Sequence, residues 1–221
     1  MTEPAQTAKD PGYEFTQDWF SGNTRTWQQL FTIIKPRRFL EIGSFEGRST
    51  CWIIEAGTKT AEDSIEVTCI DTWQGGAEHQ PGAAIDTSMP AVERRFDANI
   101  ALAKASATHG AEVTKIKDWS NLALADLIAA RSDQRFDLVY IDGSHQSPDV
   151  MTDAVMAFQL LRVGGLMIFD DYLWSMDQPG HQDIMKMPKP AIDAFLNVFQ
   201  RKMQVYRGAP LYQLYTYKVS D

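Results

Sequence analysis

Phe39-Leu-Glu41-Ile-Gly43-Ser-Phe45-Glu-Gly47-Arg-Ser49-Thr50 reads as a buried strand, a glycine turn and the start of a helix. Gly43 supplies the backbone freedom for a sharp turn, and Gly47 is expected to let the helix pack close to the strand. Ligands of open α/β sheets sit beyond the carboxyl ends of the strands, where strand order reverses. A dinucleotide turn is spaced G-x-G-x-x-G, and its middle glycine admits a pyrophosphate. Here the spacing is G-x-x-x-G, with Phe45 between the glycines. Glu41, two residues ahead of the turn, suits an ammonium group better than a phosphate. A tight turn without a ligand would use the same residues.

Outward from this turn the chain alternates. Strands are expected at 38–43, 65–71, 112–116, 136–142 and 166–170. Helices are expected from Gly47 through Glu55, from Val92 to Ala105, and from a Ser120 cap to about Ala130. Ser147 and Pro148 supply an N-cap and a first-turn proline, and the helix behind them presents Val150, Ala154, Phe158 and Leu161 on one face. Gly164-Gly165 ends that connection. Ile192, Phe195, Leu196 and Phe199 mark a last helix. Two Tyr-rich strands, at about 203–207 and 211–218, close the chain as a hairpin through Gly208-Ala-Pro210. Five β–α alternations followed by a hairpin predict a doubly wound α/β fold. Residues 1–36 are expected to be a mobile and helical segment carrying Phe15, Trp19, Trp27, Leu30, Phe31 and Ile34, and 37–221 a single domain.

Length and charge narrow the function. At 221 residues the chain suits one α/β domain, and 44% hydrophobic with 23% charged residues is a globular balance. A net charge of −8 argues against nucleic acid as partner. No apolar run reaches the roughly 20 residues of a membrane span, and the N-terminus lacks an apolar signal region. Cys51 and Cys69 read as buried small hydrophobes of a reduced cytoplasm. A small-molecule substrate is therefore expected.

Asp71, an acid at the end of the second strand, is placed to bond ribose hydroxyls. It indicates a nucleoside without saying which. Asp71-Thr72-Trp73-Gln-Gly, Tyr140-Ile-Asp142-Gly-Ser-His145 and Phe169-Asp170-Asp171-Tyr-Leu-Trp174, together with the first turn, resemble class I S-adenosylmethionine-dependent methyltransferases. The nearest branches are the methyltransferase-24 type and the catechol/caffeoyl-CoA O-methyltransferase-like enzymes, which share an aromatic residue at the Phe45 position. The resemblance implies a seven-stranded, mostly parallel sheet in the order 3-2-1-4-5-7-6 with a C-terminal antiparallel hairpin. It implies that Glu41 meets the methionine amino group, that Gly43, Ser44, Phe45 and Gly47 line the methionine portion, and that Ser49 meets its carboxylate. Asp71, with Thr72 and Trp73, would bind the ribose. Asp118, Trp119 and Ser120 would surround the adenine, with Trp119 as a stacking surface, and Asp142 would border the cofactor.

Asp142, Asp170 and Asp171 end neighbouring strands, which lie about 4.8 Å apart. Three converging carboxylates call for a cation, and Mg²⁺ or another hard divalent ion suits oxygen ligands. The metal-dependent branch places two acids and an asparagine there, and Asp171 stands in for the asparagine. His145 occupies the place of that branch's lysine general base; an imidazole with a pKa of about 6.5 can accept a proton at neutral pH. The loops 73–90 and 173–189 carry Trp73, His79, Met89, Trp174, Met176, Met185 and Met187. They suit either lids over an aromatic or apolar acceptor or simple anchors to the core. The family's habit and the aromatic terminal segments imply a homodimer. A metal-free N- or C-methyltransferase, an NAD(P)-dependent oxidoreductase and a non-catalytic nucleoside-binding protein stand as alternatives.

Overall fold

The computed structural model describes residues 12–76, 79, 85, 87–130 and 135–221. β1 (Arg38–Ile42) is buried along all but its first residue. It lies between β2 (Ile65–Asp71) and β4 (Phe136–Ile141), parallel to both. A parallel strand covered on both faces is buried along its length, and here that stretch is apolar except for Glu41. β3 (Ala111–Lys117), β5 (Leu161–Phe169), β6 (Met203–Val205) and β7 (Leu214–Lys218) complete one sheet in the order β3-β2-β1-β4-β5-β7-β6. β7 runs antiparallel to β5 and β6. The expected strand order and hairpin are both present.

Side chains alternate between the faces with a period of two. Phe39, Val67, Leu138, Tyr140 and Ile168 join a core with α1 (Thr24–Ile34), α2 (Arg48–Thr60) and α3 (Met89–Ser106). Leu40, Ile70, Val139, Ile141 and Phe169 join the opposite core with α4 (Ser120–Ala129), α5 (Ser147–Leu160) and α6 (Pro188–Val198). Trp27, Leu30 and Phe31 of α1 are buried in the first core, and the Trp27 ring meets Tyr140 edge-on at 4.9 Å. No helix among the described residues is long and apolar enough to cross a membrane.

Several local expectations are corrected. Trp119 and Gln146, not Ser120 and Ser147, occupy the N-cap positions of α4 and α5. The Ser147 hydroxyl instead lies 2.9 and 2.6 Å from the carbonyls of Ile184 and Met187, donating to one at a time, and so fastens the 173–189 loop to α5. β5 begins at Leu161, ahead of the glycine pair, with a register shift against β4 between Phe136 and Leu138. Gly47 faces α3 rather than the strand: a Cβ there would stand 3.0 Å from the Phe96 ring.

The strand order reverses between β1 and β4, so Gly43 and Asp142 flank the switch point. Gly43 has φ of +85°, and a Cβ at this position would lie 2.0 Å from the Asp142 carbonyl oxygen. Gly22 has open space around it. Gly43→Ala is therefore expected to cost on the order of 3 kcal/mol in urea unfolding, against about 0.5 kcal/mol or less for Gly22→Ala. Equal midpoints for the two variants would refute the close approach.

Candidate active site

Backbone hydrogen bonds continue past the strands and knit their carboxyl ends into one edge. Gly43 N–H donates to Ile70, Asp142 N–H to Ile42, Asp118 N–H to Asp71 and Asp170 N–H to Ile141, at 2.8 to 3.2 Å. The sequence-predicted residues of four turns thus share one rim.

Glu41 is fully buried beneath this rim. Its carboxylate accepts from Ser44 Oγ at 2.7 Å, from Ser49 Oγ at 2.6 Å and from the Thr50 hydroxyl. Burial pushes its pKa up, and the three hydroxyls oppose that rise. Glu41 therefore organises the hydroxyls of the turn and the first turn of α2. Asp71 does the same for the backbone. Its Oδ2 accepts from the N–H groups of Ser44 and Phe45, both at 2.9 Å, and its Oδ1 from Trp73 N–H at 2.7 Å. This clamp holds Phe45 in the left-handed region, at φ +46°.

Trp73 is buried as an anchor rather than lining the rim. Its Nε1–H donates to the Phe45 carbonyl at 2.9 Å, while its ring packs on Phe96 at 4.9 Å and under Lys115 Nζ at 4.4 Å. Thr72 Oγ1 accepts from Gln74 N–H at 3.1 Å. Trp119 is 58% exposed and free to offer a stacking face, and Asp118 Oδ1 accepts its N–H at 2.7 Å. His79 lies 5.2 Å from the Phe45 ring, and the rest of that loop is partly outside the described residues.

The three aspartates divide into two arrangements. The Tyr140 hydroxyl lies between Asp142 Oδ2, at 2.9 Å, and Asp170 Oδ2. One hydroxyl proton cannot serve both carboxylates at once. Burial pushes both acids up, aided by Asp170 and Asp171 at Asp142 and by Asp171 at Asp170, which rises to about 6. Gln213 Nε2 also donates to Asp170 Oδ2, at 2.9 Å. Its Oε1 accepts from Trp27 Nε1 at 2.8 Å and from the Tyr215 hydroxyl at 2.6 Å. An indole N–H only donates, which fixes the amide with its NH₂ toward Asp170.

Asp171, at φ +53°, turns elsewhere. Its Oδ2 meets His145 Nε2 at 2.8 Å, and its Oδ1 accepts from the Tyr212 hydroxyl at 2.7 Å. The Trp174 ring covers the imidazole at 4.0 Å between centroids. Asp142, Asp170 and Asp171 thus stand around one small cavity, with the Asp171 carboxylate engaged by His145 and Tyr212. Among the described residues no group of three His, Cys, Asp or Glu side chains is placed to hold a metal ion. A cavity of about 10 Å³, the size of one water, lies between Asp142, His145, Asp170, Asp171 and Pro188. A larger open hollow of about 470 Å³ on the β6–β7 hairpin contains none of these acids.

The pattern of a methyltransferase domain family, the methyltransferase-24 type, matches residues 40–172, which span every one of these turns. The chain belongs to this family. It is a class I, S-adenosylmethionine-dependent methyltransferase. Solved structures share the fold. An O-methyltransferase from Bacillus cereus in complex with S-adenosylhomocysteine is 18% identical at a TM-score of 0.60, over 92% of this chain and 84% of that one. TomG from Streptomyces achromogenes, an O-methyltransferase of tomaymycin synthesis in complex with S-adenosylmethionine, is 15% identical at 0.62, over 92% and 82%. MycE, a mycinamycin-pathway methyltransferase in complex with Mg, S-adenosylhomocysteine and mycinamycin VI, is 16% identical at 0.56, over 92% of this chain and 51% of that one. No protein of curated function matches the chain.

Sequence reasoning missed Tyr140, Gln213, Trp27 and Tyr212 in this methyltransferase. Tyr140 carried a signal, since it stands two residues before Asp142 and so on the same strand face. Gln213 is 43 residues from Asp170, and nothing in its local sequence pairs the two.

The buried acids of the methyltransferase set a pH dependence. Glu41, Asp142, Asp170 and Asp153, the last pushed up to about 7, all have raised values in the fold. A raised acid contributes stability that is complete below its unfolded pKa and is lost as pH rises through its folded pKa. The melting temperature in chelator should therefore fall progressively as pH rises from about 4 through about 7. A profile that rises over this range would contradict the burial of these carboxylates.

Proposed function

We propose that this methyltransferase transfers the S-adenosylmethionine methyl group to a hydroxyl of a small molecule, with His145 as general base. The observation that carries this reading is the His145 Nε2–Asp171 Oδ2 contact of 2.8 Å at the carboxyl edge of the sheet. A carboxylate on a ring nitrogen orients the imidazole and selects its tautomer, as a general base requires. Methyl transfer is an in-line displacement from sulfonium to oxygen, so the protein contributes alignment and deprotonation. The oxygen loses its proton to His145 and attacks the methyl carbon while the carbon–sulfur bond breaks, giving S-adenosylhomocysteine. Trp174 over the imidazole, with exposed Leu173, Met176, Ile184 and Met185 on the adjoining loop, suits an aromatic or apolar acceptor.

The cofactor lies across the rim in this reading. Ser44 and Ser49, oriented by Glu41, face its methionine end, Gly43 and Gly47 allow the close approach, and Phe45 and Asp142 border it. Asp71 and Thr72 meet the ribose, and Asp118, Trp119 and Ser120 the adenine. Trp73 supports Phe45 from the core. Tritium transfer from S-adenosylmethionine to a panel of small alcohols, phenols and amines tests it. His145→Ala should lower turnover about 10²- to 10⁴-fold and Asp171→Asn about 10- to 100-fold. Unaltered turnover and pH profile in His145→Ala would remove the base, and transfer to amines alone would remove the O-methyl reading.

One observation favours metal assistance: burial and neighbouring carboxylates push Asp142 and Asp170 up, Asp171 acting on both, and their oxygen donors suit a hard cation. These two, with Asp171, would hold Mg²⁺, which when bound would supply charge neutralisation and polarise an acceptor oxygen. Activity should then disappear on chelation and return with Mg²⁺; full activity after exhaustive chelation ends this reading.

A further inference from the structure

Asp153 lies outside the machinery described so far, yet it is 2% exposed on α5. A buried carboxylate is costly unless something uses it. The Ser120 hydroxyl bonds to it, while its Oδ1 accepts no hydrogen bond among the described residues. Its Oδ2 stands 3.9 Å from where a Cβ at Gly143 would be. It therefore lies between two turns of the rim. One is the start of α4, whose own N-cap residue, Trp119, gives no side-chain cap. The other follows β4. The amino end of a helix favours a nearby negative charge, and here the charge comes from a neighbouring helix. Asp149, one turn earlier on α5, and burial both push the Asp153 carboxyl up.

We propose that Asp153 is a positioning residue for the adenosine end of the cofactor. Through the Ser120 hydroxyl its buried carboxylate holds the first turn of α4, with Trp119, against α5 and beside the Gly143 turn. This rests on the reading that S-adenosylmethionine lies across this rim. That tie sets where the start of α4 stands beside the crevice, while the methionine end is set independently by Glu41 and Asp71. Cutting the tie should thus loosen one half of the cofactor site and spare the other.

The test uses the full chain with S-adenosylhomocysteine as probe. Asp153→Asn keeps the shape and replaces an acceptor with a donor facing the helix start. Its dissociation constant by calorimetry should rise about tenfold or more, the scale of a lost charge-assisted hydrogen bond. In hydrogen exchange, the probe should still protect amides 43–50 and no longer protect 117–124. If Asp153→Asn does not fold, Ser120→Ala must show the same split. Affinity within about twofold of wild type, or equal loss of protection in both segments, overturns the inference. A wild-type chain that binds no S-adenosylhomocysteine overturns it together with the cofactor reading; unaltered binding by the variants overturns it alone.

Discussion

The approach of Gly43 to the Asp142 carbonyl is the constraint on which the site depends. At the switch point the chain leaves β1 toward one face of the sheet and β4 toward the other, so a crevice opens between them. How close its walls come is set by backbone against backbone, with no side chain to adjust. A carbonyl oxygen 2.0 Å from an ideal Cβ position leaves room for hydrogen only. With the two turns in contact, Asp71 can clamp the 44–45 amides from one side while Asp142 stands at the other.

Acids do most of the ordering along this rim, each by a different balance. Glu41 offsets its burial with three hydroxyl donors, and Asp71 is bound by three backbone amides. Asp142 and Asp170 share a single tyrosine proton, and there the offset is incomplete, so both hold protons more tightly than free carboxylates do. Incomplete compensation beside a crevice marks where a further positive group or proton can be taken up.

The β–α alternation was legible because it is written in local periods: buried strands as short apolar runs, turns as glycines and acids. Even so, boundaries moved where tertiary contacts outweighed local chemistry. Ser147 looked like a cap and instead fastens a distant loop. Gly164 and Gly165 looked like a strand boundary and lie within β5, where Leu161, Arg162 and Asp137 crowd Gly165 too closely for a side chain. At the site, the acids and His145 were visible as strand-end residues, but their partners were not. Whether Asp171 turns toward its fellow acids or toward His145 depends on a left-handed backbone and on Tyr212, 41 residues away.

The N-terminal helix shows how fold and chemistry share residues here. Trp27 fills the core beside Tyr140, a packing role that any large aromatic side chain could serve. Its indole nitrogen adds a second role, since it fixes the Gln213 amide and through it one oxygen of Asp170. The other oxygen is held by the Asp171 N–H at 2.7 Å. Asp170 therefore cannot rotate without breaking contacts with Tyr140 in the core, with Gln213 just ahead of β7 and at its own turn. An acid held on both oxygens is oriented before any ligand arrives, so the ordering cost is met by folding and not by binding. The segment that lies outside the family's matched region is thereby joined to the chemistry of the matched one.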